Sequence, residues 1–203
     1  MFAPGFGATA WAVVDAKNSA EPASRAAIAR VSAVVLLFLP ADPRSEDPSA
    51  ARIVLTRRST AVRTHKGQVG FPGGRAEAGE STPVVTALRE LEEEVGIPSA
   101  DVMIHGLMAP HRSIDGSSVV PVVATAITPD DRIRPEKAEV ADLHLIPWRR
   151  FAVGQESRFG FTLFGMRRES FLYAASPSLN VWGLTAGMLA AAGLRGAGAQ
   201  SGL

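Results

Sequence analysis

The sequence predicts an α/β fold with a mixed β-sheet between helices, and two observations support this. Short apolar or β-branched segments alternate with turn residues, and two longer segments repeat apolar residues with helical periodicity. The 203 residues suit one domain with a buried core, and the sequence contains neither an internal repeat nor an interdomain linker. We expect this domain over residues 29–194, with an N-terminal extension over 1–28 and a disordered tail over 195–203.

Each expected strand is an apolar or β-branched segment bounded by Gly, Pro or polar residues. Val31–Leu39 is apolar without alternation, which indicates a central strand buried on both faces. Phe159–Phe164 and Ser170–Ala174 are expected to form a hairpin, and polar composition predicts loops over Ala41–Ala51 and Arg57–Gln68. The other predicted strands are Ile53–Thr56, Val69–Phe71 (ended by Pro72-Gly73-Gly74), Val102–Met108, Val119–Ile127 and Val140–Ile146.

Two helices are expected from periodicity and capping residues. The first begins at Pro83 with Ser81 or Thr82 as N-cap, runs to about Val95 and stops at Gly96. The second is expected over Asn180–Leu194. Its expected caps are Ser178 or Asn180, and Trp182 is expected in the core.

The composition excludes several functional classes. Without cysteine the chain forms no disulfide, thiolate nucleophile or cysteine–zinc site. Lys and Arg total 21 and Asp and Glu total 20, so no global field favours nucleic acid or membrane as a partner. The N-terminus lacks the basic start of a signal peptide and no apolar run is long enough to span a bilayer, so we expect a cytoplasmic protein.

The first predicted helix carries an unusual group of carboxylates. Glu90, Glu93 and Glu94 are spaced i, i+3 and i+4, so they share one face. That face is centred roughly 130° from the apolar stripe, which consists of Val84, Leu88, Leu91 and Val95. Clustered carboxylates repel each other unless a cation lies among them, which favours a divalent metal site and metal-assisted hydrolysis of a charged substrate. The alternative is a solvated acidic face.

Two features near these glutamates favour the metal site. Gly73 and Gly74 allow the backbone to approach a ligand closely, and Arg89 can pair with a glutamate. Moreover, Gly74, Glu80 and the run Arg89-Glu90-Leu91-Glu92-Glu93-Glu94-Val95-Gly96-Ile97 resemble the signature box of the Nudix hydrolases. Every fixed position is filled, but eight residues separate Glu80 from Arg89 where the general box has seven.

A second signature, upstream of the first, narrows the resemblance from the superfamily to one of its branches. Leu55-Thr56-Arg57-Arg58-Ser59, then Arg63, Gly67 and Phe71-Pro72-Gly73-Gly74, resemble the motif of the coenzyme A diphosphatase branch of that superfamily. The same branch has the longer spacing and the Thr86–Glu90 run. Trp182-Gly183-Leu184-Thr185-Ala186 resembles a late motif of that branch.

The resemblance implies a fold and a set of catalytic roles. The fold is the Nudix α/β/α sandwich. Glu90, Glu93 and Glu94 would bind Mg²⁺ or Mn²⁺, and Glu80 would assist from the loop. Arg89 would orient a glutamate. The implied catalytic residues are Glu80, Arg89, Glu93 and Glu139, of which Glu139 would bind metal or act as the base. The alternative for Glu139 is a solvated charge at a strand start, and Glu92 is expected to face solvent.

The resemblance also implies a substrate class. The expected substrate-binding residues are Arg58, Arg63, His65, Gln68, Gly73 and Gly74, although a solvated basic loop is the alternative for the charged ones. The implied reaction cleaves coenzyme A or a derivative into 3′,5′-ADP and 4′-phosphopantetheine or its acyl form. The alternatives are a diphosphatase for NADH or ADP-ribose, or a non-catalytic nucleotide sensor. We expect a monomer or homodimer. His111, Arg112, Asp115 and Asp142 are weaker candidates.

Overall fold

A computed structural model describes residues 31–40, 50–61, 65–152, 154–163 and 165–198. The predicted extension over 1–28, most of the loop over 41–51 and Arg63 lie outside the described residues. No helix among the described residues is long and apolar enough to cross a membrane.

Eight strands form a mixed main sheet in the order β3-β2-β1-β7-β5. β1 and β7 are parallel, and the other pairings are antiparallel, with β4 beside β1, β6 beside β7 and β8 beside β2. The strands are β1 (Val31–Leu39), β2 (Arg52–Arg58), β3 (Val69–Gly70), β4 (Gly73–Arg75), β5 (Val102–Leu107), β6 (His111–Arg112), β7 (Ser118–Ala126) and β8 (Val140–Pro147).

A smaller antiparallel sheet and two helices complete the fold. The small sheet has the order β11-β10-β9. The elements are α1 (Pro83–Val95), β9 (Ser157–Leu163), β10 (Met166–Ser176), β11 (Leu179–Trp182) and α2 (Gly183–Gly198). Short 3-10 turns lie at Ser99–Asp101, Asp130–Arg132 and Trp148–Phe151.

The main sheet separates two apolar cores, which explains the uninterrupted apolar sequence of β1. Side chains alternate along a strand, so Val35 and Leu37 face one side while Leu36 and Phe38 face the other. On the first side they pack against α1. On the second side they pack against α2 and the small sheet. This arrangement confirms the predicted fold of a mixed sheet between helices.

The prediction for α1 is confirmed at both ends. Thr82 is the N-cap, and its side chain accepts a hydrogen bond from the amide of Val85 at 3.4 Å. Pro83 occupies the first turn. Gly96 ends the helix with a φ of 76°, and its amide donates to the carbonyl of Glu92.

The start of the second helix was predicted wrongly. Residues Leu179–Trp182 form β11, paired antiparallel with β10, and α2 begins at Gly183. Leu179 and Val181 are buried while Asn180 and Trp182 are exposed, which is the period of a strand. Neither predicted cap therefore lies at the helix start, and Trp182 is 51% exposed rather than in the core. The helix extends to Gly198, into the predicted tail.

Pro72-Gly73-Gly74 does more than end a strand. Gly73 and Gly74 pair with Val34 and Ala33 of β1, so the chain returns to the main sheet as β4. A Cβ on Gly73 would lie 2.3 Å from the carbonyl oxygen of Ala33, so only glycine permits this approach. The predicted loop over Arg57–Gln68 also begins later, since Arg57 and Arg58 belong to β2.

Candidate active site

Glu90, Glu93 and Glu94 form the carboxylate face of α1, and its buried member, Glu94, is hydrogen-bonded to β4 and β2. Glu94 is only 2% exposed. One carboxylate oxygen accepts from the amide of Gly73 at 3.1 Å, and the other accepts from Nη1 of Arg58 at 3.0 Å. The β4 pairing places that amide, and the extension of β2 places Arg58. This group, Glu94 with Gly73 and Arg58, is called the Glu94 pocket below.

Burial raises the pKa of Glu94 to about 7. The amide of Gly73 and the Arg58 guanidinium oppose this rise, whereas the charges of Glu90 and Glu139 add to it. The Arg58 guanidinium therefore does not offset the effect of burial on Glu94. A bound cation would add positive charge and favour the ionised carboxylate.

Glu90 lies one helical turn earlier, against β4. Burial raises its pKa, with Arg89 acting in the opposite direction and Glu93 and Glu139 adding to the rise. A Cβ on Gly74 would lie 2.2 Å from a carboxylate oxygen of Glu90. The absence of a side chain at Gly74 therefore leaves the space that this carboxylate occupies.

Arg89 is the centre of a second group of contacts, called the Arg89 network below. Its Nε donates to Glu80 at 2.7 Å and its Nη1 to Glu93 at 2.7 Å. Nη1 also lies 3.0 Å from a carboxylate oxygen of Glu90, and Nη2 donates to the carbonyl of Arg75 at 3.1 Å. These contacts confirm that Arg89 can pair with glutamates, and they tie α1 to the loop after β4.

Glu80 accepts three hydrogen bonds, one of them from Arg89. Its second oxygen accepts from Oγ1 of Thr86 and from the amide of Glu77, both at 2.7 Å. Burial alone would raise the pKa of Glu80, but the hydrogen bonds from Arg89, Thr86 and Glu77 outweigh it and lower the pKa to about 2. Glu80 is therefore ionised throughout the physiological pH range.

Glu93 and Glu139 are the solvent-facing members of the site. The side chain of Glu93 is 59% exposed although it bonds Arg89. Glu139 is exposed at the start of β8, and its carbonyl accepts from the amide of Ser59 at 2.7 Å. Its carboxylate lies close enough to affect the pKa values of Glu90 and Glu94. Glu92 is exposed, as expected.

The donor set fits a hard divalent cation. All donors are carboxylate oxygens, and burial raises the pKa values of Glu90 and Glu94 despite the neighbouring guanidinium groups of Arg89 and Arg58. Among the described residues, however, no three carboxylate or imidazole groups already converge in a metal-binding arrangement. Glu80, Glu90 and Glu93 turn towards Arg89 instead.

The basic loop before β3 folds back on itself. Nδ1 of His65 lies 3.0 Å from Oε1 of Gln68, and the amide of Gln68 donates to the carbonyl of His65. The amide of Gly67 donates to the carbonyl of Arg58. His65 and Gln68 are exposed beside β2, and Arg63 lies outside the described residues. The guanidinium of Arg58, a residue expected to bind substrate, contacts Glu94.

Thr86 is a site residue that the sequence reasoning named only as part of a motif. It is 1% exposed and donates to Glu80. The available signal was its spacing, because Thr86 lies three and four residues before Arg89 and Glu90 and so shares their face. Among the weaker candidates, Asp115 accepts hydrogen bonds from the Ser113 hydroxyl and the Ser117 amide in a turn.

The other weaker candidates make local contacts. Arg57 pairs with Asp142 at 3.1 Å. Nδ1 of His111 lies 3.0 Å from the carbonyl of Ala109, and Arg112 donates to the carbonyl of Gly116 at 3.4 Å.

Comparisons with known proteins identify the family of the chain. The family model for the NUDIX domain matches residues 30–164. The uncharacterized Nudix hydrolase NudL of Pectobacterium atrosepticum is 38% identical over 138 residues, which cover 68% of this chain and 71% of that protein. NudL of Escherichia coli K12 is 35% identical over 138 residues, with the same coverage.

Solved structures are more distant. The Nudix hydrolase RenU of M. smegmatis has a TM-score of 0.47 and 24% identity, covering 60% of this chain and 73% of RenU. A C. elegans Ap4A hydrolase has a TM-score of 0.47 and 19% identity, covering 58% of this chain and 80% of its own. Because the family model covers most of the domain and the NudL proteins are similar over most of their length, the chain belongs to the Nudix hydrolase family.

Proposed function

We propose that this chain hydrolyses the diphosphate bond of coenzyme A or its derivatives and depends on a divalent metal. The products are 3′,5′-ADP and 4′-phosphopantetheine or its acyl form. One observation carries the proposal. Residues of the upstream motif, Arg58 and Gly73, contact Glu94 of the carboxylate helix directly. The motif that resembles the coenzyme A diphosphatase branch therefore contacts the helix that carries Glu90, Glu93 and Glu94, which supports the proposal.

The carboxylates of the site are the proposed metal ligands. Glu90, Glu93 and Glu94, with Glu80, would hold Mg²⁺ or Mn²⁺. When bound, the metal would neutralise the diphosphate and lower the pKa of the attacking water. Arg89 positions Glu80 and holds Glu93 near the face.

Glu139 is the proposed general base. It is exposed, and its charge reaches Glu90 and Glu94. The water oxygen forms a bond to one phosphorus while the bond from that phosphorus to the bridging oxygen breaks. The water proton passes to Glu139, and the bridging oxygen leaves with the other phosphate.

The basic loop would recognise the substrate. Coenzyme A carries a diphosphate and a 3′-phosphate, for which Arg63 would supply a guanidinium and His65 a ring N–H donor. Gln68 adds an amide that can bond a phosphate or the adenine. Gly73 and Gly74 would border the bound substrate through their backbone, since β1 fills the side-chain space at Gly73 and the Glu90 carboxylate fills it at Gly74.

The test is a panel of coenzyme A, dephospho-coenzyme A, NADH and ADP-ribose, each with Mg²⁺, with Mn²⁺ and with chelator. We expect the highest kcat/KM for coenzyme A and no turnover in chelator, with activity restored by either metal. A clear preference for ADP-ribose or NADH would replace the substrate assignment. Nucleotide binding without any turnover would indicate a sensor.

A further inference from the structure

Thr86 is a polar residue in the buried part of α1. It is 1% exposed, and the helix also buries Ala87 and Leu91. A β-branched residue inside a helix is less favourable than alanine, and its buried hydroxyl requires a hydrogen-bond partner. Such a hydroxyl often bonds the carbonyl four residues earlier in the same helix. In α1 it donates instead to Oε2 of Glu80, in the loop before the helix, at 2.7 Å. The hydroxyl therefore joins the helix to that loop.

Glu80 is attached to α1 through both of its carboxylate oxygens. Oε1 accepts from Nε of Arg89 and Oε2 from the hydroxyl of Thr86, both at 2.7 Å. Thr86 and Arg89 are three residues apart and so share a helix face. The third donor, the amide of Glu77, belongs to the same loop as Glu80, so its bond does not fix the loop to the helix. Thr86 is therefore the contact that fixes Oε2 relative to α1.

Arg89 alone would leave the Glu80 carboxylate free to turn. A guanidinium fixes the plane of a carboxylate when two of its nitrogens bond the two oxygens. Arg89 donates to Glu80 only through Nε, while its Nη1 and Nη2 donate to Glu93 and to the carbonyl of Arg75. A single hydrogen bond permits rotation about its own axis. The Glu80 side chain is only 10% exposed, so water can replace a lost donor only poorly.

We propose that Thr86 is a positioning residue of the metal site, an inference that rests on the proposed function. Its hydroxyl holds Glu80 in one orientation, and Glu80 in turn holds Arg89. The same guanidinium contacts Glu90 and Glu93, so the arrangement of all three carboxylates depends on it. Without the hydroxyl, Glu80 would turn and Arg89 would shift with it. Partners of this kind, which orient metal ligands, affect both metal affinity and activity.

The first measurement is the binding of Mn²⁺ alone to the full-length protein, followed by the electron paramagnetic resonance signal of free Mn²⁺. Thr86→Val keeps the branched shape of the side chain and removes the hydroxyl, so we expect it to raise the Kd about tenfold. Thr86→Ser retains the hydroxyl and should stay within about twofold of wild type. This measurement is independent of the substrate.

Steady-state kinetics separate a positioning role from contact with substrate. With coenzyme A and saturating Mg²⁺, Thr86→Val should lower kcat about tenfold and leave KM within about twofold of wild type, because the hydroxyl bonds Glu80. Thr86→Ser should restore kcat. If the wild-type protein leaves coenzyme A uncleaved, the proposed function fails, and Mn²⁺ binding still decides the role of Thr86.

Thr125→Val is the matched control for the loss of a buried threonine hydroxyl. Thr125 is 6% exposed, and its hydroxyl lies 2.9 Å from Nε2 of His105. It lies two residues after Val123 on β7, on the face of the main sheet opposite to α1. Both variants should lower the melting temperature, but only Thr86→Val should change the Kd for Mn²⁺. If Thr86→Val does not fold, Thr86→Ala removes the same hydroxyl and favours the helix.

Several results would overturn the proposal. An unchanged or lower Kd for Mn²⁺ in the folded Thr86→Val protein would show that Glu80 needs no orientation from Thr86. Equal impairment of Thr86→Ser would assign Thr86 to packing, and an equal effect of Thr125→Val would assign the change to lower stability. A rise in KM without a fall in kcat would place Thr86 against the substrate. Absence of Mn²⁺ binding to the wild-type protein would remove the metal site and this inference with it.

Discussion

The Glu94 pocket and the Arg89 network both involve glutamates of α1, but the pKa values of Glu94 and Glu80 shift in opposite directions. Glu80 accepts hydrogen bonds from Arg89, Thr86 and Glu77, so its pKa falls to about 2. Glu94 has one guanidinium and one amide, and burial raises its pKa to about 7. The network is thus electrostatically complete, while the pocket still favours a cation. The number of hydrogen bonds that each carboxylate accepts therefore explains why the two pKa values shift in opposite directions, although both carboxylates are proposed metal ligands.

The largest expected effect concerns Glu93, which bonds to Arg89 but is proposed to bind the metal. Glu93→Gln should lower kcat by on the order of 10²-fold or more, because stabilisation of transition-state charge is lost. Steady-state kinetics with saturating Mg²⁺ measure it, with Glu92→Gln as the exposed neighbouring control. Wild-type kcat in a folded Glu93→Gln protein would assign Glu93 to the Arg89 network alone.

The next effect concerns Arg63, the proposed phosphate-binding residue of the basic loop. Loss of one charge-assisted hydrogen bond costs about 1.5–3 kcal/mol, so Arg63→Ala should raise KM for coenzyme A roughly ten- to a hundredfold, with a smaller fall in kcat. The exposed Lys66→Ala is the control on the same loop. If Arg63 binds the 3′-phosphate, the penalty shrinks on dephospho-coenzyme A; equal penalties indicate the diphosphate. An unchanged KM on both substrates would make this loop solvated surface.

A smaller effect is expected from the glycine that faces Glu90. Gly74→Ala places a methyl group in the space of that carboxylate and should displace it, lowering kcat about tenfold. Gly70→Ala is the matched control, since its nearest neighbour, Oγ1 of Thr185, lies at an ordinary 3.5 Å. Equal kcat values in the two variants would show that Glu90 can move without loss of activity.

The smallest expected effect is on the free energy of unfolding. It tests the contrast between the Glu94 pocket and the Arg89 network directly. With metal chelated, the protonated Glu94 stabilises the fold below pH 4.5, and this contribution is lost as the pH rises through about 7. Glu94→Gln should therefore be more stable than wild type at pH 8, by about 2 kcal/mol, and lose this advantage at pH 5.

Glu80→Gln should show the opposite dependence. The stabilisation from ionised Glu80 is present above pH 4.5 and disappears as the pH falls through about 2. This variant should lose about 1–2 kcal/mol at pH 8, and the loss should shrink with acidification. Thermal unfolding between pH 3 and pH 8 measures both variants. If the stabilities of Glu94→Gln and Glu80→Gln, relative to wild type, changed with pH in the same direction, the contrast between the Glu94 pocket and the Arg89 network would be refuted.

The amino-acid sequence by itself determined the carboxylate helix. Thr82, Pro83 and Gly96 act through bonds within a few residues, and the spacing of Glu90, Glu93 and Glu94 on one face follows from helix geometry. The apolar run of β1 likewise predicted its burial on both faces.

Only the tertiary structure decided the contacts that join distant segments. Residues 179–182 form a strand because β10 supplies their hydrogen bonds, and this pairing overrides the helical pattern. Gly73 bonds Glu94 because β4 pairs with β1, and Arg58 reaches Glu94 because β2 extends beside β8. Such contacts depend on which strands become neighbours, and no pattern within one segment carries that information.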